Sequence, residues 1–304
     1  VVDNGDGTLT ATAVYGDAGN EFVNAYTAAP VEVSLVGKKN LQVPDGLTPA
    51  DIAGKFTFTV TGEEGAPMPT NASATNDAKG KVDFGKITFT LDDLNKALGE
   101  KPEKREHTFT YTVTESGEVA GVTNDANATR KVSYTVTDDG AGHLIVKRDG
   151  GDGAAFTFTN TYGVAPTDSS VTDQVKTVKR LTGRHLAAGE FTFELLEDGV
   201  TVASGTNDAN GNVTLSPIRY EAPGTHTYTL REACPNALGL YKGVTYDGTT
   251  YTVVTTVSDN GDGTLTATHK LEGTTESAGF TNKYHAMPTQ VSIGAIKVLE
   301  GREL

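Results

Sequence analysis

Apolar and polar residues alternate with a period of two along most of this 304-residue chain. The pattern is clearest in FTFTV (56–60), ITFT (87–90), FTYTV (109–113), VSYTV (132–136), LIVK (144–147) and FTFT (156–159). Successive side chains of an extended strand point to opposite faces, so these segments predict strands with one buried face and a Thr-rich outer face. VVDNGDGTLTATA (1–13) recurs almost unchanged as VSDNGDGTLTATH (257–269). Alternating arms around a turn of Asn, Asp and Gly predict a hairpin in each copy. DNGDG does not make a calcium loop, because Gly261 falls where such a loop needs an oxygen ligand. Two segments break the alternation. In LTPADIAG (47–54), Thr48 or Asp51 suits the cap of a short helical turn, and in LDDLNKALGE (91–100), Asp92 and Asp93 favour a helix start before LNKAL. Neither segment has a counterpart in the second half of the chain. They read as surface insertions and as the places for domain-specific contacts.

Three residue types recur in register. FVNAY, FTNTY and FTNKY place Asn24, Asn160 and Asn282 at the ends of β-type stretches, 136 and 122 residues apart. A short linker after each Asn comes a Lys on a new strand: Lys39 in KKNL, Lys179 in VKRL and Lys297 in IKVL. Lys39 is chosen by aligning KNL with KRL and KVL, with Lys38 as the alternative. Between Lys and Asn lies a strand ending in Glu, YTVTE at Glu115 and YTLRE at Glu232. The order Lys, Glu, Asn is thus complete twice. Asn24 and Lys297 are the equivalents in partial copies at the two ends. One such Asn alone would be an ordinary strand-end polar residue, but two complete sets with the same flanking aromatics are not.

These groups suit one chemistry. A Lys amine attacks a carboxamide poorly in water, because it is protonated and the amide carbon is a weak electrophile. Burial lowers the amine's pKa. A buried carboxyl group that stays protonated can hydrogen-bond the Asn carbonyl and shuttle the proton that leaves with ammonia. Contact supplies the effective concentration. The product is a Lys–Asn isopeptide bond.

KRLTGRHLAAGEFTFEL (179–195), TNDANGNV (206–213), YTLREACP (228–235), GVTYDGTTYTV (243–253) and FTNKY (280–284) resemble the isopeptide-linkage domains of Gram-positive pilins and adhesins, of the streptococcal major-pilin type and related to the B-type repeats of collagen adhesins. Residues 175–285 resemble them throughout. Residues 31–163 do so less closely, keeping Lys39, FTFTV, TNDAKGKV (75–82), YTVTE and FTNTY but lacking the GR pair after the Lys. The resemblance implies an all-β fold of tandem inverse-Ig-like (CnaB-type) sandwiches, with Lys on the first strand, Asn beside it on the last, and Glu on the facing sheet. It further implies Lys39–Asn160 with Glu115, and Lys179–Asn282 with Glu232, as cross-links with their catalytic carboxyls. The expected organisation is 1–27 from a preceding repeat, domains at 31–163 and 175–285, and 290–304 as the first strand of a following repeat. The intervening 163–174 is expected to be a polar linker. A load-bearing stalk or shaft of a surface adhesin or pilus, extracellular and anchored to the cell wall of a Gram-positive bacterium, is the implied role. Any host matrix or cell-surface ligand would be bound by other parts of the protein. The alternatives are a direct host-ligand-binding region and a spacer array of a surface enzyme. Each triad reacts once, so no turnover is implied.

Composition adds exclusions. A net charge of −14 opposes nucleic acid and anionic membranes as partners. No apolar run is long enough for a bilayer, so no membrane insertion is expected. One Cys, Cys234, rules out disulfides within the chain, and no Gln-bearing partner segment suggests a thioester. The six His at 107, 143, 185, 226, 269 and 285 form no metal motif and read as strand-surface or loop residues. No phosphate loop or GxSxG elbow appears, so no cofactor is expected. Asn71, Asn127 and Asn212, each in an Asn-x-Ser/Thr triplet, read as turns.

Overall fold

A computed structural model describes residues 1–17, 19–99, 104–150, 155–273 and 276–302. The chain is all-β. Its strands are β1 (Val2–Asp3), β2 (Leu9–Thr10), β3 (Val31–Gln42), β4 (Thr57–Gly62), β5 (Ser73–Thr75), β6 (Lys81–Phe89), β7 (Glu106–Ser116), β8 (Val122–Thr123), β9 (Thr129–Asp138), β10 (Leu144–Arg148) and β11 (Phe156–Tyr162), with helix α1 (Leu91–Leu98) after β6. There follow β12 (Thr167–Ser169), β13 (Lys176–Thr182), β14 (Thr192–Glu197), β15 (Val200–Asn207), β16 (Val213–Leu215), β17 (Ile218–Tyr220) and β18 (Gly224–Ala233). The last are β19 (Leu240–Tyr241), β20 (Val244–Thr245), β21 (Thr250–Asp259), β22 (Leu265–Leu271) and β23 (Ser277–Tyr284).

Contacts group the residues into two compact units. Val1–Lys39, Ala53–Gly117 and Ala126–Phe158 form the first; Asn40–Ile52, Glu118–Asp125 and Thr159–Leu304 form the second. The strand orders are β10-β9-β7-β4-β5 and β6-β3-β11-β8, then β13-β23-β20-β19 and β16-β15-β14-β18-β21-β22. β13 and β23 run parallel, with Lys179 opposite Phe280 and Leu181 opposite Asn282. The alternation read from the sequence sets which side chains go inward. Tyr228 and Leu230 of β18 and Ala278 and Phe280 of β23 join one core with Phe193, Leu195 and Val253. The same parity continues to the next inward position of each strand, and there the residue is polar: Glu232 on β18 and Asn282 on β23.

Helix α1 starts as its acidic turn predicts. Thr90 caps it, and Asp93 returns the bond to the Thr90 N–H, completing a capping box. Glu100 of that segment lies outside the described residues. The other insertion differs from expectation, for no helix forms over 47–54. Its backbone instead bonds within the second unit, Thr48 N–H to Asp259 and Ala50 N–H to Gly261 O. The expected linker 163–174 is also corrected. Thr167–Ser169 pairs with β17, a 3-10 turn follows at Val171–Asp173, and Val171 and Ser170 are buried, with the Ser170 hydroxyl donating to Leu215 O at 2.9 Å. Val171 joins the core of the second unit, and Val164 packs against it.

The predicted terminal strands of 1–27 reduce to the β1–β2 hairpin, and Asn24 is exposed outside any strand. Lys297 is likewise exposed and outside any strand, and residues 303–304 of that predicted strand lie outside the described residues. His269 corrects the expectation of surface histidines. It is buried between Ser169 and Thr255, 2.8 Å from each hydroxyl, and burial pushes its imidazole below the usual value, with Asp173 opposing.

Candidate isopeptide sites

In the second unit, inward parity brings three polar side chains together. Lys179 Nζ lies 2.7 Å from Glu232 Oε1, and both side chains are fully buried. Asn282 Nδ2 donates to the same oxygen at 2.9 Å. Among the described residues, Glu232 Oε2 has no hydrogen-bond partner. The ring of Phe191 lies under the amine, with Nζ 4.5 Å from its centroid. Burial pushes the Lys179 amine down, against the pull of Glu232, and pushes the Glu232 carboxyl up, against the pull of Lys179 and Asn282. Both shifts favour a neutral amine beside a neutral acid, since removing charges from water disfavours the charged forms.

The contact made by the carboxyl differs from the one expected. Glu232 meets the amide nitrogen of Asn282 and not its carbonyl. The carbonyl oxygen accepts instead from the Asp247 backbone N–H at 2.8 Å. Asp247 is itself fixed, its carboxylate accepting from Thr281 N–H at 2.7 Å and from the Thr249 hydroxyl at 2.6 Å. Burial would raise the Asp247 carboxyl, but these donors and Lys179 hold it below the usual range.

In the first unit, Lys39 and Glu115 form a fully buried ion pair, with Lys39 Nζ 4.5 Å from the centroid of Phe56. Lys38 is exposed and lies opposite Lys81 on β6. Asn160, on β11 and grouped with the second unit, is fully buried. Its carbonyl accepts from Asp125 N–H at 2.8 Å, its amide donates to Asn124 Oδ1 at 3.0 Å, and Asp125 accepts from Thr159 N–H at 2.9 Å. Asp125 therefore holds Asn160 as Asp247 holds Asn282. Asn24 and Lys297 are not brought to any such site.

The TNDA segments explain how each Lys is placed. Asn207 accepts from Phe191 N–H and donates to Ala187 O and Asp208 O, which fastens the segment leading into β14 to the turn. Gly211, at φ +87, presses that turn onto the Lys179 backbone, whose N–H donates to Gly211 O at 2.7 Å. A Cβ on Gly211 would stand 2.1 Å from Lys179 O. Gly80 repeats this against Lys39, where a Cβ would stand 2.0 Å from Lys39 O. Only glycine fits so close an approach at positive φ.

Asp125 and Asp247, whose N–H groups hold the two Asn carbonyls, are the site residues missing from the sequence-based expectation. A signal was present: GVTND (121–125) and GVTYD (243–247) align the two aspartates in a repeat of the chain on itself. Among the described residues no His, Cys, Asp and Glu cluster suits a metal, and no helix is long and apolar enough to cross a membrane.

The family described as FctA, Spy0128-like isopeptide containing domain, matches residues 35–163 and 175–285. Among solved structures, the major pilin T-13 of Streptococcus pyogenes is similar at 18% identity, over 85% of this chain and 100% of that one, with a TM-score of 0.25. A C-terminal fragment of the pilus adhesin SpaC of Lactobacillus rhamnosus GG is similar at 11% identity, over 85% and 100%, with a TM-score of 0.21. Two B repeat units of the collagen binding protein of Staphylococcus aureus are similar at 18% identity, over 84% and 76%, with a TM-score of 0.20. Curated protein sequences show no significant match to the chain.

Proposed function

The chain belongs to the family of Spy0128-like isopeptide-containing domains, and from that premise we propose that Lys179 and Asn282, and likewise Lys39 and Asn160, join covalently without any enzyme. One observation carries the proposal: a single buried oxygen, Glu232 Oε1, faces both the attacking and the leaving nitrogen, at 2.7 and 2.9 Å. Lys179 Nζ attacks Asn282 Cγ. The new N–C bond forms as the carbonyl electrons move onto Oδ1, which the Asp247 N–H stabilises. Glu232, as the neutral acid, gives its proton to Nδ2 and takes one from the attacking nitrogen, so it ends in the form in which it began. The Cγ–Nδ2 bond then breaks and ammonia leaves. No oxidant, metal or cofactor enters the balance. Glu115 and the Asp125 N–H take the corresponding roles for Lys39 and Asn160.

The bond suits a stalk on the outside of a Gram-positive cell. Tension enters a domain at its first strand and leaves at its last. β13 and β23 are parallel neighbours, so a pull on opposite ends loads them in shear. A covalent link between the two carries the force past the remaining strands. The reaction occurs once per site and then stops, which makes this a self-modifying structural protein.

The intact mass of the purified chain tests the proposal. A deficit of two ammonia molecules against the sequence is expected, with tryptic peptides joining Lys179 to Asn282 and Lys39 to Asn160. A mass equal to the sequence would overturn it.

A further inference from the structure

One hydrogen-bonded clasp occurs twice in the molecule and serves neither cross-link. In the first unit, the hydroxyl of Tyr26, the last residue of FVNAY, donates to Asp138 Oδ1 at 2.7 Å and accepts from Gly142 N–H at 3.1 Å. Three residues on, Ala29 N–H donates to Gly142 O at 3.0 Å. In the second unit, Tyr162, the last residue of FTNTY, donates to Asp259 Oδ1 at 2.6 Å and accepts from Gly263 N–H at 3.1 Å. Ala165 N–H donates to Gly263 O at 2.8 Å. Each socket is a hairpin turn with Asp at its start and glycines two and four residues later. Each Asp is braced by the first of these, Gly140 N–H at 3.0 Å and Gly261 N–H at 2.9 Å. In both, the Asp pairs across the hairpin with the Leu six residues on, Asp138 with Leu144 and Asp259 with Leu265.

The β1–β2 hairpin reproduces this socket. Asp3 pairs with Leu9, six residues on, and Gly5 N–H braces Asp3 Oδ1 at 2.9 Å. Gly7 stands where Gly263 and Gly142 stand. The turn has the sequence DNGDGT, identical to residues 259–264. Its internal bonds match as well. Asn4 donates to Thr8 and Thr10 as Asn260 does to Thr264 and Thr266, and Asp6 accepts from Thr8 N–H as Asp262 does from Thr264 N–H. The turn is thus pre-organised and exposed, with no rearrangement needed to accept a hydroxyl.

We infer that the Asp3–Leu9 hairpin is a tyrosine socket, and that it takes the tyrosine ending the last strand of another copy of this domain. The phenol hydroxyl donates to Asp3 and accepts from Gly7 N–H, and the backbone N–H three residues after the tyrosine donates to Gly7 O. Asp3, Gly7 and the tyrosine hydroxyl give specificity, because a hydroxyl that both donates and accepts cannot be replaced by Phe. Tyr284 ends the third such motif, FTNKY, and is the corresponding ligand this chain offers to a hairpin of the same kind. The clasp uses neither Lys nor Asn and does not depend on isopeptide formation.

The test uses the whole chain labelled with nitrogen-15 and, as probe, the peptide TNTYGVAPT (159–167) at millimolar concentration. The Gly7 amide resonance should shift saturably with this peptide. It should stay in place with the same peptide carrying Phe for Tyr, and in an Asp3→Ala chain. A Gly7 amide that does not move, or that moves equally with the Phe peptide, overturns the assignment. The filled socket gives an independent check. Tyr162→Phe in the whole chain should speed hydrogen exchange at Gly263 about tenfold, the scale of one charge-assisted hydrogen bond. Unchanged exchange there would remove the pattern on which the third socket rests. In both experiments the mass deficit should stay at two ammonia molecules, so failure of the socket is distinct from failure of the cross-links.

Discussion

Replacing Glu232 by Gln separates proton transfer from packing. Gln has nearly the same size and keeps an oxygen facing Lys179 and Asn282, but it does not take up and release a proton. The fold should survive, because Lys179 is already pushed toward the neutral amine by burial and need not sit as an unpaired charge. The cross-link should not form. Closing the chain between Lys179 and Asn282 encloses all the strands from β14 to β22. For a ring of about 100 residues, chain entropy assigns the closure roughly 5 kcal/mol. A domain of this size shifts its melting point by about 4 °C or more per kcal/mol, so its transition should fall by about 20 °C. Intact mass and calorimetry read the two effects together: one ammonia lost where the parent loses two, and one transition lowered. A Glu232→Gln protein that still loses two ammonia molecules removes Glu232 from the mechanism. One that loses a single ammonia yet melts like the parent shows that the link adds nothing to stability.

Asp247→Ala removes the acceptor for Thr281 N–H and loosens the backbone amide on the Asn282 carbonyl, so bond formation in the second unit should slow at least tenfold by time-resolved mass, with Asp247→Asn partly restoring it. Gly211→Ala drives a Cβ against Lys179 O and strains a positive φ, at a cost of about 1–3 kcal/mol. The second site should therefore close slowly while the first is unaffected. His269 is held neutral by burial, so its folded pKa lies below the ordinary 6.5. The unfolded chain then binds the extra proton first, and stability should fall as pH drops through 6.5 and on through the folded value. His269→Gln should flatten that slope in a melting series. Thr90→Ala deletes the α1 cap and should cost about 1 kcal/mol locally, seen as faster hydrogen exchange over Leu91–Leu98, with both ammonia losses intact.

The alternating segments carried most of the fold, because a period of two determines which side of a strand is buried wherever one face meets a core. The same parity made the sites legible. Glu232 follows Tyr228 and Leu230 at even spacing, and Glu115 follows Tyr111 and Val113, so each carboxyl belongs to the inward row of its strand. Lys39 and Lys38 differ by one residue and hence by face, which a sequence alignment weighs only weakly and a strand separates fully. Less legible were contacts made by backbone or by isolated residues. Thr48 and Ala50 use their N–H groups on Asp259 and Gly261, and no side-chain pattern announces that. Val171 is a single apolar residue in a polar run, too little for a periodicity. His269 occupies an inward position of β22 among Thr, Ala and Lys, where its type alone suggested the surface. Asp247 acts on Asn282 through its main chain, and only the repeat of GVTxD marked it.

The position of α1 has a consequence for how such chains diversify. The helix lies between Lys39 and Asn160, inside the ring that the first cross-link would close, as does the loop that follows it. Once the ring is closed, a proteolytic cut anywhere within it leaves both pieces attached, and a longer loop adds nothing to the load path. Segments between the two cross-linked residues are therefore free to lengthen, to vary and even to be nicked. The few residues that join one ring to the next, such as Gly163–Pro166, have no such protection, and a single cut there divides the chain.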